Sequence, residues 1–222
     1  INDEYLSFIL NFYWFIMTKQ TDNFWHQRFL QDSYFYGTQP NDFLKAQAHV
    51  LPKGGRVLSI GEGEGRNAVF LAEQGFEVTA LDAAQSGLDK VQRLATERGV
   101  TVNTQCVDLN DYVFEPQQWD AIISIFCHLP PVLRARVHQG VVQALKPNGV
   151  FLLEAYVPKQ LQYGTGGPKN LDLLYQASSL KQDLQGLDFL LLEEIEREIY
   201  EGDGHHGLSA VVQLIAKKTP NP

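Results

Sequence analysis

The sequence predicts an α/β fold: a doubly wound, seven-stranded, mostly parallel sheet that ends in an antiparallel C-terminal hairpin. Three observations carry this. Short apolar runs alternate with helix-like stretches, the pattern of a sheet covered on both faces. A glycine-rich turn, Gly61–Gly65, joins the first such run directly to a helix. The last two runs are separated only by residues 201–207, too few for a helical crossover and enough for a hairpin.

Residues 22–31 and 40–51 read as helices, the second opened by Pro40 and Asn41. RVLSI (56–60) is a buried strand, and the helix over 67–74 stops at Gly75, as helices commonly do just before a glycine. FEVTAL (76–81) is the second strand, followed by a helix over 86–98 ending at Gly99. Residues 101–107 and 119–126 are the third and fourth strands. Pro131 opens a helix to Leu145, and 150–156 is the fifth strand. A loop with Gly164, Gly166, Gly167 and Pro168 leads to a helix over about 170–184 and to strands over 187–199 and 208–217.

With 222 residues, 44% hydrophobic and 20% charged, the chain can bury one substantial core. Its 26 acidic and 18 basic side chains give a formal charge of −8, which repels phosphate backbones, so a nucleic-acid partner is not expected. Cys106 and Cys127 lie in strand-like segments and read as small buried hydrophobes in a reducing, cytoplasmic compartment. Their number and spacing make no metal site. Residues 6–17 form an apolar run too short to span a membrane. Met17 is the sole methionine and position 1 is Ile, so residues 1–21 are expected to be an extension, with 1–16 upstream of a natural start.

The chemistry is concentrated after the first strand. Gly61-Glu62-Gly63-Glu64-Gly65 lets the backbone turn tightly and approach a ligand. Asp82 ends the second strand 21 residues beyond Gly61, where a carboxylate reaches a ribose diol. The dinucleotide fingerprint is G-x-G-x-x-G, whereas here the glycines alternate and bring two glutamates that would repel a diphosphate. A nucleoside cofactor without phosphates, bearing a sulfonium and an ammonium, suits such acidic company better. The competing readings are an NAD-dependent oxidoreductase and a cofactor-binding regulator without catalysis.

The stretch VLSIGEGEGRNAVFLAEQGFEVTALD resembles the first motif and acidic follower of Rossmann-like class I S-adenosylmethionine-dependent methyltransferases. VDLND (107–111), WDAIIS (119–124) and LKPNGVFLLE (145–154) are similar to that family's third-, fourth- and fifth-strand segments. The segment 25–44 and the tail from Glu201 resemble the tellurite-resistance and thiopurine methyltransferase branch. The resemblance implies a methyltransferase domain over 22–218, S-adenosylmethionine as cofactor and a small-molecule acceptor such as a thiol or a metalloid oxyanion. It also implies that Gly61, Gly63 and Gly65 wrap the methionine part and that Asp82 holds the ribose with Ala83 beside it. Asp108 and Leu109 would meet adenine, while Ile125 and Phe126 would line the methyl side. Ser59 stands where many members are acidic, leaving Ser59 or Glu62 to meet the cofactor ammonium.

Acceptor sites in open α/β sheets lie beyond the carboxyl ends of the strands. Trp25, Arg28, Tyr34 and Tyr36 are expected there as a lid, with Tyr163 also binding substrate. His128, Tyr156 and His205 are the candidates for proton transfer, His205 in a mobile loop. The Gly164–Pro168 loop is expected to close over the site, so that alanine at Gly166 and Gly167 would slow turnover more than it weakens the fold.

Overall fold

The computed structural model describes residues 23–220, so the expectations about the first 22 residues lie outside the described part. One seven-stranded sheet organises the chain: β1 (Arg56–Ile60), β2 (Glu77–Asp82), β3 (Asn103–Cys106), β4 (Trp119–Ile125), β5 (Leu145–Tyr156), β6 (Leu187–Glu201) and β7 (His205–Lys218). Their order across the sheet is β3-β2-β1-β4-β5-β7-β6. The first five run parallel, while β7 is antiparallel to both β5 and β6. The helices are α1 (Phe24–Phe29), α2 (Asp42–Gln47), α3 (Arg66–Glu73), α4 (Gln85–Arg98), α5 (Pro131–Ala144) and α6 (Ala177–Asp183).

Alternation along the strands fills a core on each face. Leu58, Ile122, Phe151 and Leu153 pack with α5 and α6 through Val137, Val141, Leu180 and Leu184. Val57, Ile123 and Leu152 face the other way, onto Phe43 and Leu44 of α2, Leu71 of α3, and Leu88, Val91 and Leu94 of α4. Because both faces are covered, β1 and β4 read as continuous apolar runs rather than alternating ones.

Three segments depart from the sequence reading. The helix expected over 170–184 is a single 3₁₀ turn at Leu171–Leu173 and then the short α6. Strand β3 is exposed along its length at the sheet edge, so Cys106 is exposed rather than a buried hydrophobe. The hairpin is tighter than expected. Glu201 pairs with His205, which opens β7 and is buried, so this histidine belongs to a strand and not to a mobile loop.

Candidate functional site

A cavity of about 600 Å³ opens at the carboxyl ends of β1, β2 and β4 and extends to the turn between β6 and β7. Its walls include Gly61, Glu62, Gly63, Asp82, Ala83, Asp108, Leu109 and Ile125 at one end, and His128, Tyr156 and His205 at the other. Trp25, Arg28 and Tyr36 line it from the N-terminal segment. Gly65 and Tyr163 do not line it. A Cβ on Gly65 would stand 2.8 Å from the Val91 Cα, so that glycine is where α3 passes α4. The Tyr163 hydroxyl donates to Glu196 on the outer strand β6. The Tyr34 hydroxyl donates to the Lys90 carbonyl, 3.3 Å away.

The glycine turn is built for close approach. Gly61 has φ +62°, and a Cβ there would fall 2.6 Å from Cys127 Sγ. Asp82 accepts from the Gly63 and Ala84 backbone N–H groups, each at 2.8 Å, which ties the turn to the tip of β2. Burial raises its pKa and these hydrogen bonds oppose the rise. The Ala83 N–H adds a third bond, the carboxylate retains acceptor capacity beyond these, and the side chain is only half-buried beside the cavity.

The two glutamates of the turn serve the fold. Glu62 is buried and accepts from the Asn67 and Ala68 N–H groups, at 3.1 and 2.9 Å, and from the Ser59 hydroxyl. Burial raises its pKa, opposed by those bonds. A carboxylate thus already occupies the start of α3, where a dinucleotide would place its diphosphate. Glu64 forms a buried ion pair with Lys90 at 2.6 Å and does not line the cavity. Of the two glutamates, Glu62 is therefore on the cavity wall with its oxygens turned to the chain, and Glu64 is off it. Ser59 and Glu62 also bond each other, which occupies both groups considered for the cofactor ammonium.

At the far end lies a buried polar cluster around His205, whose members Asn41, Arg66 and Glu154 the sequence did not reveal. Glu201 accepts from Asn41 Nδ2 at 2.9 Å, from Arg66 Nη2 at 2.8 Å and from His205 Nδ1 at 2.8 Å. Burial alone would raise its pKa, but the Arg66 charge and the His205 and Arg66 hydrogen bonds outweigh it and hold the carboxyl at about 2. Glu154, fully buried on β5, is clamped by Arg197 at 2.8 and 2.9 Å and receives Asn41 and Gln213, each at 2.6 Å. No motif announced Arg66: it reads as an ordinary helix start, and its partner Glu201 is 135 residues away.

The three proton-transfer candidates differ in what binds them. His128 Nδ1 lies 2.8 Å from the Leu173 carbonyl, which can only accept, so Nε2 is left facing the Tyr156 N–H at 3.5 Å. Burial pushes its pKa down to about 4, and both nitrogens brace the ends of β4 and β5 rather than await a proton. Burial raises the Tyr156 phenol well above its ordinary value, so it stays protonated. His205 stands 4.5 to 5.3 Å, centroid to centroid, from the rings of Phe126, Tyr36 and Tyr156. Burial lowers its pKa against the pull of Glu201, so the ring is neutral near pH 7. With Nδ1–H held by Glu201, Nε2 presents a lone pair and has no hydrogen-bond partner among the described residues.

The glycine loop after β5 lies on the cavity but is pinned there. Gln160 donates to the Gly166 carbonyl at 3.1 Å, and the His206 N–H donates to the Thr165 carbonyl at 2.9 Å. A Cβ on Gly166 would stand 2.7 Å from the Gly204 carbonyl, and one on Gly167 2.6 Å from the Tyr156 ring. Alanine at these two positions therefore strains the fold itself, contrary to the sequence reading. Segment α1 is fixed over the β2 end by Asn23 Nδ2 donating to the Ala83 carbonyl at 3.1 Å and Ser86 Oγ donating to the His26 carbonyl at 2.7 Å.

Among the described residues no helix is long and apolar enough to cross a membrane, and no cluster of His, Cys, Asp and Glu could hold a metal. Residues 57–149 match a family model described as a methyltransferase domain. A 2-heptyl-1-hydroxyquinolin-4(1H)-one methyltransferase of Mycobacteroides abscessus is 31% identical over 102 residues, 45% of either chain. A ubiquinone biosynthesis O-methyltransferase of Rickettsia canadensis is 32% identical over 99 residues, 44% of this chain and 41% of that one. The chain thus spans less than half the length of these curated relatives. Among solved structures, TehB from Haemophilus influenzae superposes with a TM-score of 0.65 at 20% identity, over 80% of this chain and 62% of that one. A SAM-dependent methyltransferase from Methanosarcina mazei superposes with a TM-score of 0.64 at 17% identity, over 82% and 100%. At those identities the likeness speaks for the fold alone. Residues 57–149 are thus similar in sequence to a methyltransferase domain, and the sheet that carries them has the Rossmann-like methyltransferase fold.

Proposed function

We propose that the protein transfers a methyl group from S-adenosylmethionine to a small acceptor whose nucleophilic atom arrives protonated, with His205 taking the proton. The observation that carries this is a single cavity that holds a ribose-type carboxylate, Asp82, at one end and a carboxylate-oriented imidazole, Glu201–His205, at the other.

The residues present fit the cofactor. The free lone pairs of Asp82 suit a vicinal diol, and the cradle at Gly61 leaves no room for a side chain. Ala83, Asp108 and Leu109 would flank the adenine, Gly61 and Gly63 the amino-acid end, and Ile125 and Phe126 the reacting side. When bound, S-adenosylmethionine supplies an electrophilic methyl group on a sulfonium. The chain aligns the acceptor behind that group, excludes water with the rings of Phe126, Tyr36 and Tyr156, and accepts the acceptor's proton at His205 Nε2. Glu201 stabilises the imidazolium formed. Cofactor and acceptor must share about 600 Å³, which favours a compact acceptor. The net charge of −8 supports a small molecule over nucleic acid, and a chain with two cysteines in all suits a cytoplasmic setting. Segment 25–44 and the tail from Glu201 support the tellurite-resistance and thiopurine branch, with thiols, which arrive protonated, as the acceptors to try first and metalloid oxyanions, which need no base, as the contrast.

Calorimetry with S-adenosylhomocysteine and with NADH, followed by methyl-release assays against thiols, selenite and tellurite, tests this reading. Micromolar binding of the first, none of the second and turnover of one acceptor class is the expected result. Binding of NADH in preference would overturn it.

A further inference from the structure

Two buried polar atoms on the cavity wall have no partner among the described residues: Arg66 Nη1 and Tyr156 Oη. Leaving a buried donor unpaired is costly, and more so for a charged group. Native interiors rarely keep such groups without a reason. Ser209 lies beside the Tyr156 hydroxyl and, while its own proton goes to the Gly207 carbonyl at 3.1 Å, it keeps a lone pair towards the phenol, so the phenol is the more weakly stranded of the two atoms. Arg66 is 7% exposed and commits only Nη2, to Glu201.

The two atoms belong to one constellation. Arg66 and His205 both bind Glu201 Oε2, at 2.8 Å each. The Arg66 guanidinium lies 5.9 Å from the Tyr36 ring centroid, and the Tyr36 and Tyr156 rings each neighbour the His205 ring. A molecule whose nucleophile meets His205 Nε2 thus shares one cavity with the Arg66 guanidinium and the Tyr156 phenol. Donors of these two kinds match the two oxygens of a carboxylate, and charge-assisted bonds of this sort are the strong ones.

We propose that Arg66 and Tyr156 form an acceptor-binding subsite for a carboxylate, so that the methyl acceptor carries a carboxylate next to its thiol or hydroxyl. This rests on the methyltransferase reading above. In the transfer, the X–H proton passes to His205 Nε2 and the X–C bond forms as the sulfonium S–C bond breaks. The bonding pair stays on sulfur, and the carboxylate remains on Arg66 unchanged. Tyr156 is a specificity residue here rather than a base.

The test is calorimetry of mercaptoacetate against 2-mercaptoethanol, probes that differ in carboxylate versus hydroxymethyl, on the full chain with S-adenosylhomocysteine present. Mercaptoacetate is expected to bind at least tenfold more tightly. Tyr156→Phe removes a hydroxyl whose one polar neighbour is Ser209, so its melting temperature should change little while the tenfold preference shrinks. Arg66→Lys keeps a charge for Glu201 and should also erase the preference. Equal binding of the two probes, or a preference intact in both variants, overturns the proposal. A carboxylate could also come from the cofactor's own amino-acid end. If Arg66→Lys weakens S-adenosylhomocysteine but spares 5′-methylthioadenosine, which lacks that carboxylate, the acceptor assignment is overturned. Failure of the methyltransferase reading looks different: S-adenosylhomocysteine itself would not bind, whatever the probes do.

Discussion

Glu201→Gln tests the coupling of fold and chemistry most directly. The carboxylate accepts from three donors, Asn41, Arg66 and His205. A glutamine offers one oxygen, and its amide N–H₂ would confront at least one of those donors. The Glu201 carboxyl is held at about 2 instead of 4.5. At about 1.4 kcal/mol per tenfold change in proton affinity, that difference amounts to about 3 kcal/mol of folding stability. Because the folded-state pKa is the lower one, this contribution is complete above pH 4.5 and disappears as the pH falls towards 2. Urea unfolding should therefore show the variant about 3 kcal/mol less stable at pH 7, in the range for breaking one side of a buried ion pair. The gap should close between pH 4.5 and 2. Turnover should fall by about 10² or more as the imidazole loses its orienting partner, with little change in S-adenosylhomocysteine affinity. A gap below about 1 kcal/mol at pH 7, or one independent of pH, would refute the reasoning.

Asp82→Asn should weaken S-adenosylhomocysteine about 10- to 100-fold by calorimetry, since hydrogen bonds to a charged group are worth about 1.5–3 kcal/mol. The rate of methyl transfer should rise with pH through a pKa below 6.5, because burial lowers the His205 value and the neutral ring is the active form; a pH–rate profile flat from pH 4 to 8 would count against His205. Gly167→Ala, at φ +81° and facing the Tyr156 ring at 2.6 Å, should cost about 1–3 kcal/mol in urea unfolding. Lys90→Met strands Glu64 in the interior and should cost about 3–5 kcal/mol by the same measurement, without entering the cavity.

The sequence made legible whatever is local. The glycine turn after β1 and Asp82 at the tip of β2 are signalled within 25 residues, because strand, turn and helix each leave their own short-range mark. The seven strands and the terminal hairpin followed from apolar runs and the brevity of one connection. Non-local features stayed hidden. Glu62 and Glu64 looked alike as acidic neighbours, yet one caps α3 and the other pairs with Lys90, 26 positions on. Cys106 reads as buried because it lies in a strand-like segment, and nothing in residues 101–107 says that β3 is an edge. His128 and His205 each sit near a strand terminus. Only the carbonyl of Leu173 and the carboxylate of Glu201 distinguish a brace from a base.

The carboxylate of Glu62 resting on the first N–H groups of α3 has a consequence wherever adenine nucleotides compete for the cavity. All of them share the nucleoside that Asp82 would recognise. A turn whose positive end is satisfied by its own chain offers their phosphates nothing and repels them at short range. Discrimination against ATP and its kin is thus provided before any ligand arrives, by a residue that need never touch the ligand it protects.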